Sequence, residues 1–382
     1  MKKRSAVLIS CTDHYRERMY VFDKALQNSD YETKYIVSDF HHIKKQTFKC
    51  EVNNSRQIHV RPYAKNLSVD RILSHRDFAK GVYNYLLNLK EEPDIIVCDV
   101  PPNFLVKYIA KYKKQHPKVR VVFDLFDLWP ETFPSNKVKK LLAPVFSIWA
   151  NLRNNNLSSA DLITTECNLY RQVLKKQLEG LNTQTVYLCK SDNNYSENKV
   201  DLSDGVVELC YLGSINNVTD IDKITKLVAE ITRLKKVNFN IIGDGENKDI
   251  FVQKLNDVSA NVLFHGKIYD DEQKQRIFDR CHFGINVMKS SVCIGLTMKS
   301  IDYFSAGLPI LNNVSADTTN LVAENNMGIN INAEDLAETA RKVANCTAEE
   351  NLIMRKNVAK IFEEKLCESV ILEEIEYAIN AL

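Results

Sequence analysis

The sequence predicts an α/β protein made of two doubly wound, Rossmann-like domains facing a cleft. Three observations carry that prediction. Short apolar runs recur along all 382 residues, each followed by a helix-length amphipathic or charged stretch. The runs are continuous in Val, Ile and Leu rather than alternating, as in strands of a parallel sheet covered on both faces. The series then stops at a polar stretch near the middle and starts again, which two right-handed βαβ assemblies in tandem would produce.

In order, the first half offers "AVLIS", "TKYIVSDF", "PDIIVCDV", "VRVVFDLFD", "ADLITTE" and "TVYLC" as strands. The polar segment "KSDNNYSENKVDLSDG", Lys190 to Gly205, reads as a boundary. Beyond it come "VVELCYLGS", "FNIIGDGE", "NVLFHGK", "FGINVM", "LPILNN" and "GININ". The expected domains are therefore 1–190 and 191–364. The last stretch forms one or two amphipathic helices, and residues 365–382 are placed to return to the first domain. In doubly wound sheets the ligand site lies at the carboxyl ends of the strands.

Composition narrows the class. Hydrophobic residues make up 45% and charged residues 26%, as in a soluble globular protein. A formal net charge of +2 is far from the basic balance of a dedicated nucleic-acid binder. No apolar run reaches bilayer length. The basic start "MKKRS" precedes an apolar segment too short for a signal peptide, and "AVLIS" reads instead as the first buried strand. The ten cysteines are scattered, with no C-x-x-C pair, and Cys98, Cys189 and Cys210 sit within apolar runs. A reducing cytoplasm is expected, without a disulfide framework or zinc.

Several strand ends have the residue types of a ligand-facing loop. "IIGDGE" closes on Gly243, Asp244 and Gly245, a turn where backbone can approach a ligand or a neighbouring element. No G-x-G-x-x-G follows, so a nicotinamide fingerprint is absent. Gly213 and Ser214 end another strand with small residues that let a phosphate reach backbone N–H groups. At "VLFHGK", His265 and Gly266 could offer backbone groups to a base. A lone histidine remains structural unless a positioned partner makes it an acid or base.

"GLTMKSIDYFSAGLPILNN" carries more information. Gly295, Leu296, Thr297 and Met298 form the loop and first turn of a predicted helix, whose unpaired N–H groups favour pyrophosphate. Gly307 suits the position after that helix, and Pro309 prevents its continuation. Lys299 and Asp302 stand three apart, on one face. Spacing leaves two readings open: an exposed ion pair, or a cation for phosphate oxygens beside a carboxylate for ribose hydroxyls.

The ordered set "YLGS", "IIGDGE", "NVLFHGK" and "KSIDYFSAGLPI" resembles the retaining glycosyltransferases of the two-Rossmann (GT-B) type, family four. In the first half "VVFDLFDLWPET" is similar to the D-L-W-P-E element of bacterial capsular and exopolysaccharide transferases, and "SSADLITTECNLYRQVL" to a segment before their linker. The resemblance spans nearly the whole chain. It implies that Asp302 binds the ribose in place of the second glutamate of Glu-x7-Glu, and that Gly295 to Met298 face the phosphates. It also implies that Gly213 and Ser214 lie beneath the pyrophosphate, and that Asp127 stands near the transferred sugar. The sequence departs from the pattern at Ile294, where the first acid would stand. "GSINNVTDID" also lacks the usual Arg and Lys, so Lys299 and Lys289 are the cations left to replace them.

The implied reaction moves a hexose-type sugar from a nucleoside diphosphate to a glycan or lipid-linked oligosaccharide, with retention. Asp127 and Lys299 are the expected catalytic groups. Helix N–H groups and Lys299 would neutralise the diphosphate, so no metal or other cofactor is expected, and no D-x-D motif stands in the usual loop context. The basic segment 136–156, with Lys137, Lys139, Lys140, Phe146 and Trp149, could lie on the inner face of the plasma membrane. It reads equally as a domain helix with a solvated end. "RPYAKNLSVDRILSHRDF", Arg61 to Phe78, is basic with interleaved aromatics and could bind sugar or phosphate, or be a solvated loop. Two rival readings stay open: a non-catalytic partner with this fold, and a sugar-nucleotide epimerase.

Overall fold

The computed structural model describes residues 3–11, 16–50, 54–66, 68–133, 136–191, 193–202 and 205–382, apart from the side chains of 16, 17, 136, 137 and 139. The chain divides into two compact units, Met1–Tyr187 together with Ile371–Leu382, and Leu188–Val370.

In the first unit seven parallel strands form one sheet. They are β1 (Arg4–Ser10), β2 (Tyr31–Ser38), β5 (Ser55–Ile58), β6 (Ile95–Val100), β7 (Arg120–Leu125), β8 (Leu162–Thr165) and β9 (Thr183–Thr185). A short antiparallel pair, β3 (Phe40–His41) and β4 (Gln46–Thr47), stands apart from it. The order β5-β2-β1-β6-β7-β8-β9 places the point where the strand order reverses between β1 and β6. Every residue of β6 is buried, which is why "IIVCDV" shows no alternation. Asp99 and Asp124 are register partners on β6 and β7. Arg18 neutralises Asp124 through a buried two-pronged pair, Nε to Oδ2 at 2.5 Å and Nη2 to Oδ1 at 2.8 Å. The returning helix Glu368–Asn380 contributes Glu376, which accepts from Asn28 Nδ2 at 2.5 Å.

The second unit holds six parallel strands: β10 (Val206–Leu212), β11 (Lys236–Ile242), β12 (Asn261–Gly266), β13 (Phe283–Asn286), β14 (Ile310–Asn312) and β15 (Gly328–Asn330). Their order, β12-β11-β10-β13-β14-β15, is that of a Rossmann sheet, with the switch between β10 and β13. Leu209, Tyr211, Phe239, Ile241, Phe251 and Ile285 lie in its core.

Two expectations change. "SRQI" is the strand β5, too polar to have been read as one, and "TVYLC" contributes only its first residue to β9, which starts earlier. "NVLFHGK" is not a buried strand: β12 lies at the sheet edge with Leu263 38% and Phe264 44% exposed. The polar stretch after Lys190 is ordered where described and belongs to the second unit. Asn194 N donates to Ser305 O at 2.8 Å, and the Tyr195 ring fills the space where Gly307 lacks a side chain.

Candidate active site

The carboxyl ends of β10, β11 and β12 are stitched into a shelf by backbone contacts. Gly213 N donates to Ile242 O at 2.9 Å, Gly243 N to Gly266 O at 2.7 Å, and Ile215 N to Asp244 O at 2.9 Å. Gly243 takes φ +146°, and a Cβ there would stand 2.0 Å from Gly213 O. Gly245 is pressed in the same way against the Ile215 backbone. The Gly-Asp-Gly turn is thus required by the neighbouring strand end, the structural reading of the two given above. Asp244 accepts from Gly245 N and lies 3.8 Å from Lys267. Ser214 accepts through its carbonyl from the Tyr211 hydroxyl at 2.9 Å.

Opposite the shelf stands the helix Met298–Ser305. Thr297 is its N-cap, accepting from Ser300 N, and Gly307 follows the last turn at φ +64°. Two devices fix where this helix begins. Tyr303, fully buried, receives Leu212 N at 2.8 Å and donates to Cys210 O at 3.1 Å, locking the helix to β10. Thr297 also donates to Asn286 Oδ1 at 2.9 Å, and Asn286 Nδ2 donates to Asn312 Oδ1 at 2.8 Å. Asn312 Nδ2 in turn donates to Asn330 Oδ1 at 2.9 Å. These three asparagines are register partners at the ends of β13, β14 and β15. Gly295 is pinned through its carbonyl by Thr318 N at 2.9 Å and Thr318 Oγ1 at 2.6 Å.

Lys299 leaves the first turn of this helix and crosses the shelf. Its ammonium lies 4.3 Å from the centre of the Tyr211 ring, and its Cε reaches the space above Gly213. Among the described residues no carboxylate pairs with it, and burial lowers its pKa from 10.5 to about 8. A desolvated, uncompensated cation over a glycine strand end is suited to an anionic ligand.

Asp302 takes a different direction. Its Oδ1 lies 2.7 Å from Lys190 Nζ and 3.8 Å from Lys274 Nζ, and Asp271 shares both lysines. Asp302 and Asp271 together raise the Lys190 pKa against the opposing effect of burial. The exposed Lys299–Asp302 pair, one of the two readings of their spacing, is therefore not formed. Both of Asp302's ion pairs use Oδ1, which leaves Oδ2 for hydroxyl groups. Lys190 and Lys274 were not recognised from sequence, since they come from the boundary segment and from the helix Asp271–Phe278. Their only signal there was charge.

Other predicted residues are dispersed. His265 Nε2 lies 2.9 Å from Asn240 Oδ1, with its pKa lowered by burial, a structural arrangement. Lys289 is exposed and is a minor influence holding the Asp222 carboxyl low, so it is placed by Asp222. In the first unit, Asp127 follows β7 and accepts from Thr132 Oγ1 at 2.7 Å; burial raises its pKa. In 136–156 the side chains of Lys137 and Lys139 lie outside the described residues. Phe146 and Trp149 face inward, with ring centres 5.0 Å from Phe133 and 5.6 Å from Trp129. The outward stripe is aliphatic instead, with Leu141 80%, Val145 55% and Ile148 68% exposed. Among the described residues no helix is long and apolar enough to cross a membrane.

Residues 207–349, which include the shelf, Lys299 and Asp302, match the family of glycosyl transferases group 1. The second unit carries a glycosyltransferase group 1 domain. No curated protein matches the chain. Among solved structures it is similar to sucrose-phosphate synthase from Thermosynechococcus elongatus, at 11% identity and a TM-score of 0.70, covering 99% of each chain. Anabaena HepE in complex with UDP and glucose gives 13% identity and a TM-score of 0.66, covering 99% of this chain and all of that one. The lipopolysaccharide outer core galactosyltransferase WaaB gives 14% and 0.64, covering 99% of each. At these identities the likeness is one of fold, two Rossmann-like units in one chain.

Proposed function

We propose that the chain transfers a sugar, with retention, from a nucleoside diphosphate to a glycan or lipid-linked oligosaccharide during synthesis of a bacterial surface polysaccharide, capsular or exopolysaccharide. The observation that carries the donor half is Lys299, a desolvated ammonium with no carboxylate partner among the described residues, held over the Gly213 loop beside the capped start of its helix. Such a group neutralises the leaving diphosphate as charge develops there, so no metal is needed in this reading. Asp302 Oδ2 takes a ribose hydroxyl, with Lys190 holding its carboxylate in place. Gly213, Ser214 and Gly295 to Met298 face the phosphates. Gly243, Asp244, His265 and Gly266 support or border the donor. The Anabaena protein was solved with UDP and glucose, which supports a nucleotide-sugar donor here. Asp127, a carboxyl whose pKa is raised by burial, acts on the transferred sugar.

The protein works in the cytoplasm, and the exposed aliphatic stripe Leu141, Val145 and Ile148 with Lys140 rests against the inner membrane face. Ile294, in place of an acid, favours the second reading, a non-catalytic partner. A calorimetric panel of UDP-, GDP- and TDP-sugars, with and without magnesium, separates the two. Binding of one nucleotide class, weakened by Asp302→Ala, supports the transferase. Binding of none favours the partner.

A further inference from the structure

The helix Val69–Leu87 of the first unit places Arg71, Ser74, His75 and Phe78 along one face. Ser74, His75 and Phe78 border a crevice of ≈ 10 Å³, completed by Cys11, Tyr63 and others. That is room for about one oxygen atom or water. His75 is 8% exposed, and among the described residues its Nε2 has no hydrogen-bond partner. Arg71 Nε is also buried and unpartnered, while its guanidinium lies 5.5 Å from the Trp129 ring. Lys45 stands over the Tyr63 ring at 4.6 Å.

Positive charge in this corner is not balanced. Among the described residues neither Arg71 nor Lys45 forms an ion pair. Three acids are engaged elsewhere: Asp39 with His59 and Val60 N, Asp77 with Arg61, and Asp127 with Thr132. A fourth, Asp99, acts with Arg71 on Cys11, but burial and then Asp124 raise its pKa well above the carboxylate range and favour its neutral form. Burial and then Arg71 push Lys45 down, and the same two causes hold His75 neutral, with its pKa lowered to about 3. A buried guanidinium N–H left without an acceptor is costly, and native structures rarely keep one that no ligand uses. Arg71 also acts electrostatically on Asp127, so this corner and the proposed sugar-facing carboxyl are neighbours within the unit.

We propose that Arg71, Lys45, Tyr63 and His75 form a binding site for an oxyanion, phosphate or carboxylate, carried by the acceptor. One oxygen enters the crevice toward His75 and Tyr63, and Arg71 with Lys45 holds the charge outside it. This deepens the transferase reading and rests on it for the word acceptor; the site itself does not depend on that reading.

The test uses the full chain and its two tryptophans, Trp129 and Trp149, both in the first unit. Tryptophan fluorescence is followed against inorganic phosphate, glucuronate and, as a neutral control, glucose. Saturable binding of phosphate or glucuronate but not glucose is expected, and the stronger of the two identifies the anion. Arg71→Gln and Lys45→Gln should each weaken it about tenfold or more, the scale of a charge-assisted hydrogen bond, while Arg71→Lys retains part of it. UDP and GDP binding, measured by calorimetry, should not change in these variants. No anion response in a chain that binds nucleotide overturns the site and leaves the transferase reading standing. Equal affinities in wild type and both glutamine variants also overturn it. An Arg71-dependent response in a chain that binds no nucleotide supports the site and counts against the transferase reading.

Discussion

The position of Lys299 predicts that nucleoside-diphosphate affinity depends on pH in a range where most lysines are silent. Burial lowers its pKa to about 8 from 10.5. The sign follows from desolvation. Below about pH 8 the amine is charged and its burial costs folding stability; that cost fades as pH rises through 8 toward 10.5. A diphosphate over Gly213 supplies the missing counter-charge and returns the pKa toward its ordinary value. The free protein then loses the proton near pH 8 while the complex keeps it, so affinity falls with rising pH. If the bound value is restored fully, the dissociation constant rises about tenfold between pH 7 and pH 9, because each unit of difference is a factor of ten. Calorimetry with UDP and GDP across that range measures it, with the parent nucleosides as controls lacking phosphates. Lys299→Gln should bind more weakly at pH 7 and show no such slope. A flat profile in wild type, or an equal slope in Lys299→Gln, refutes the assignment of Lys299 to the diphosphate.

Four further outcomes can be checked. Asp302→Ala should weaken nucleotide-sugar binding by about 1.5–3 kcal/mol, the scale of a hydrogen bond to a charged group, and calorimetry giving an unchanged affinity in a folded variant removes Asp302 from the pocket. Asn312→Ala should lower the urea midpoint at constant m, costing about 3 kcal/mol, since Asn286, Asn330 and Val314 each lose a buried partner. Gly243→Ala should destabilise the second unit by more than about 2 kcal/mol, because the new Cβ meets the Gly213 carbonyl at a strained φ; a melting temperature equal to wild type contradicts that packing. Asp127→Asn should leave nucleotide binding intact while slowing nucleoside-diphosphate release in the presence of acceptor, and full turnover ends its assigned role.

What the sequence revealed and what it concealed divide along physical lines. Strands buried on both faces announce themselves as continuous apolar runs, so β1, β6, β7, β10 and β11 are legible. β5 is four residues of "SRQI" at a sheet edge, held by backbone hydrogen bonds that composition does not record. β12 shows the converse: "NVLF" reads as core, yet at the edge of the second unit's sheet two of its apolar side chains face solvent. Helix punctuation was legible for the same reason as the buried strands, since Thr297 and Gly307 answer to local backbone demands.

Side-chain direction was not legible, and it decides the candidate site. Three-residue spacing puts Lys299 and Asp302 on one helix face, but each side chain is drawn to partners from other elements: Tyr211 on β10 for one, Lys190 and Lys274 for the other. The separation has a chemical consequence. Had the two paired, Lys299 would be neutralised and of little use to a diphosphate. Because Asp302 is satisfied by Lys190 and Lys274, Lys299 keeps its charge in a desolvated place where an incoming anion is worth most. The ladder Asn286–Asn312–Asn330 works to the same end. It carries a fully hydrogen-bonded polar line through the sheet to Thr297, so the helix that presents Lys299 starts at one fixed height above Gly213. Its only trace in the sequence is the asparagine closing "FGIN", "ILN" and "GIN", which reads as turn chemistry until the register sets the three side by side.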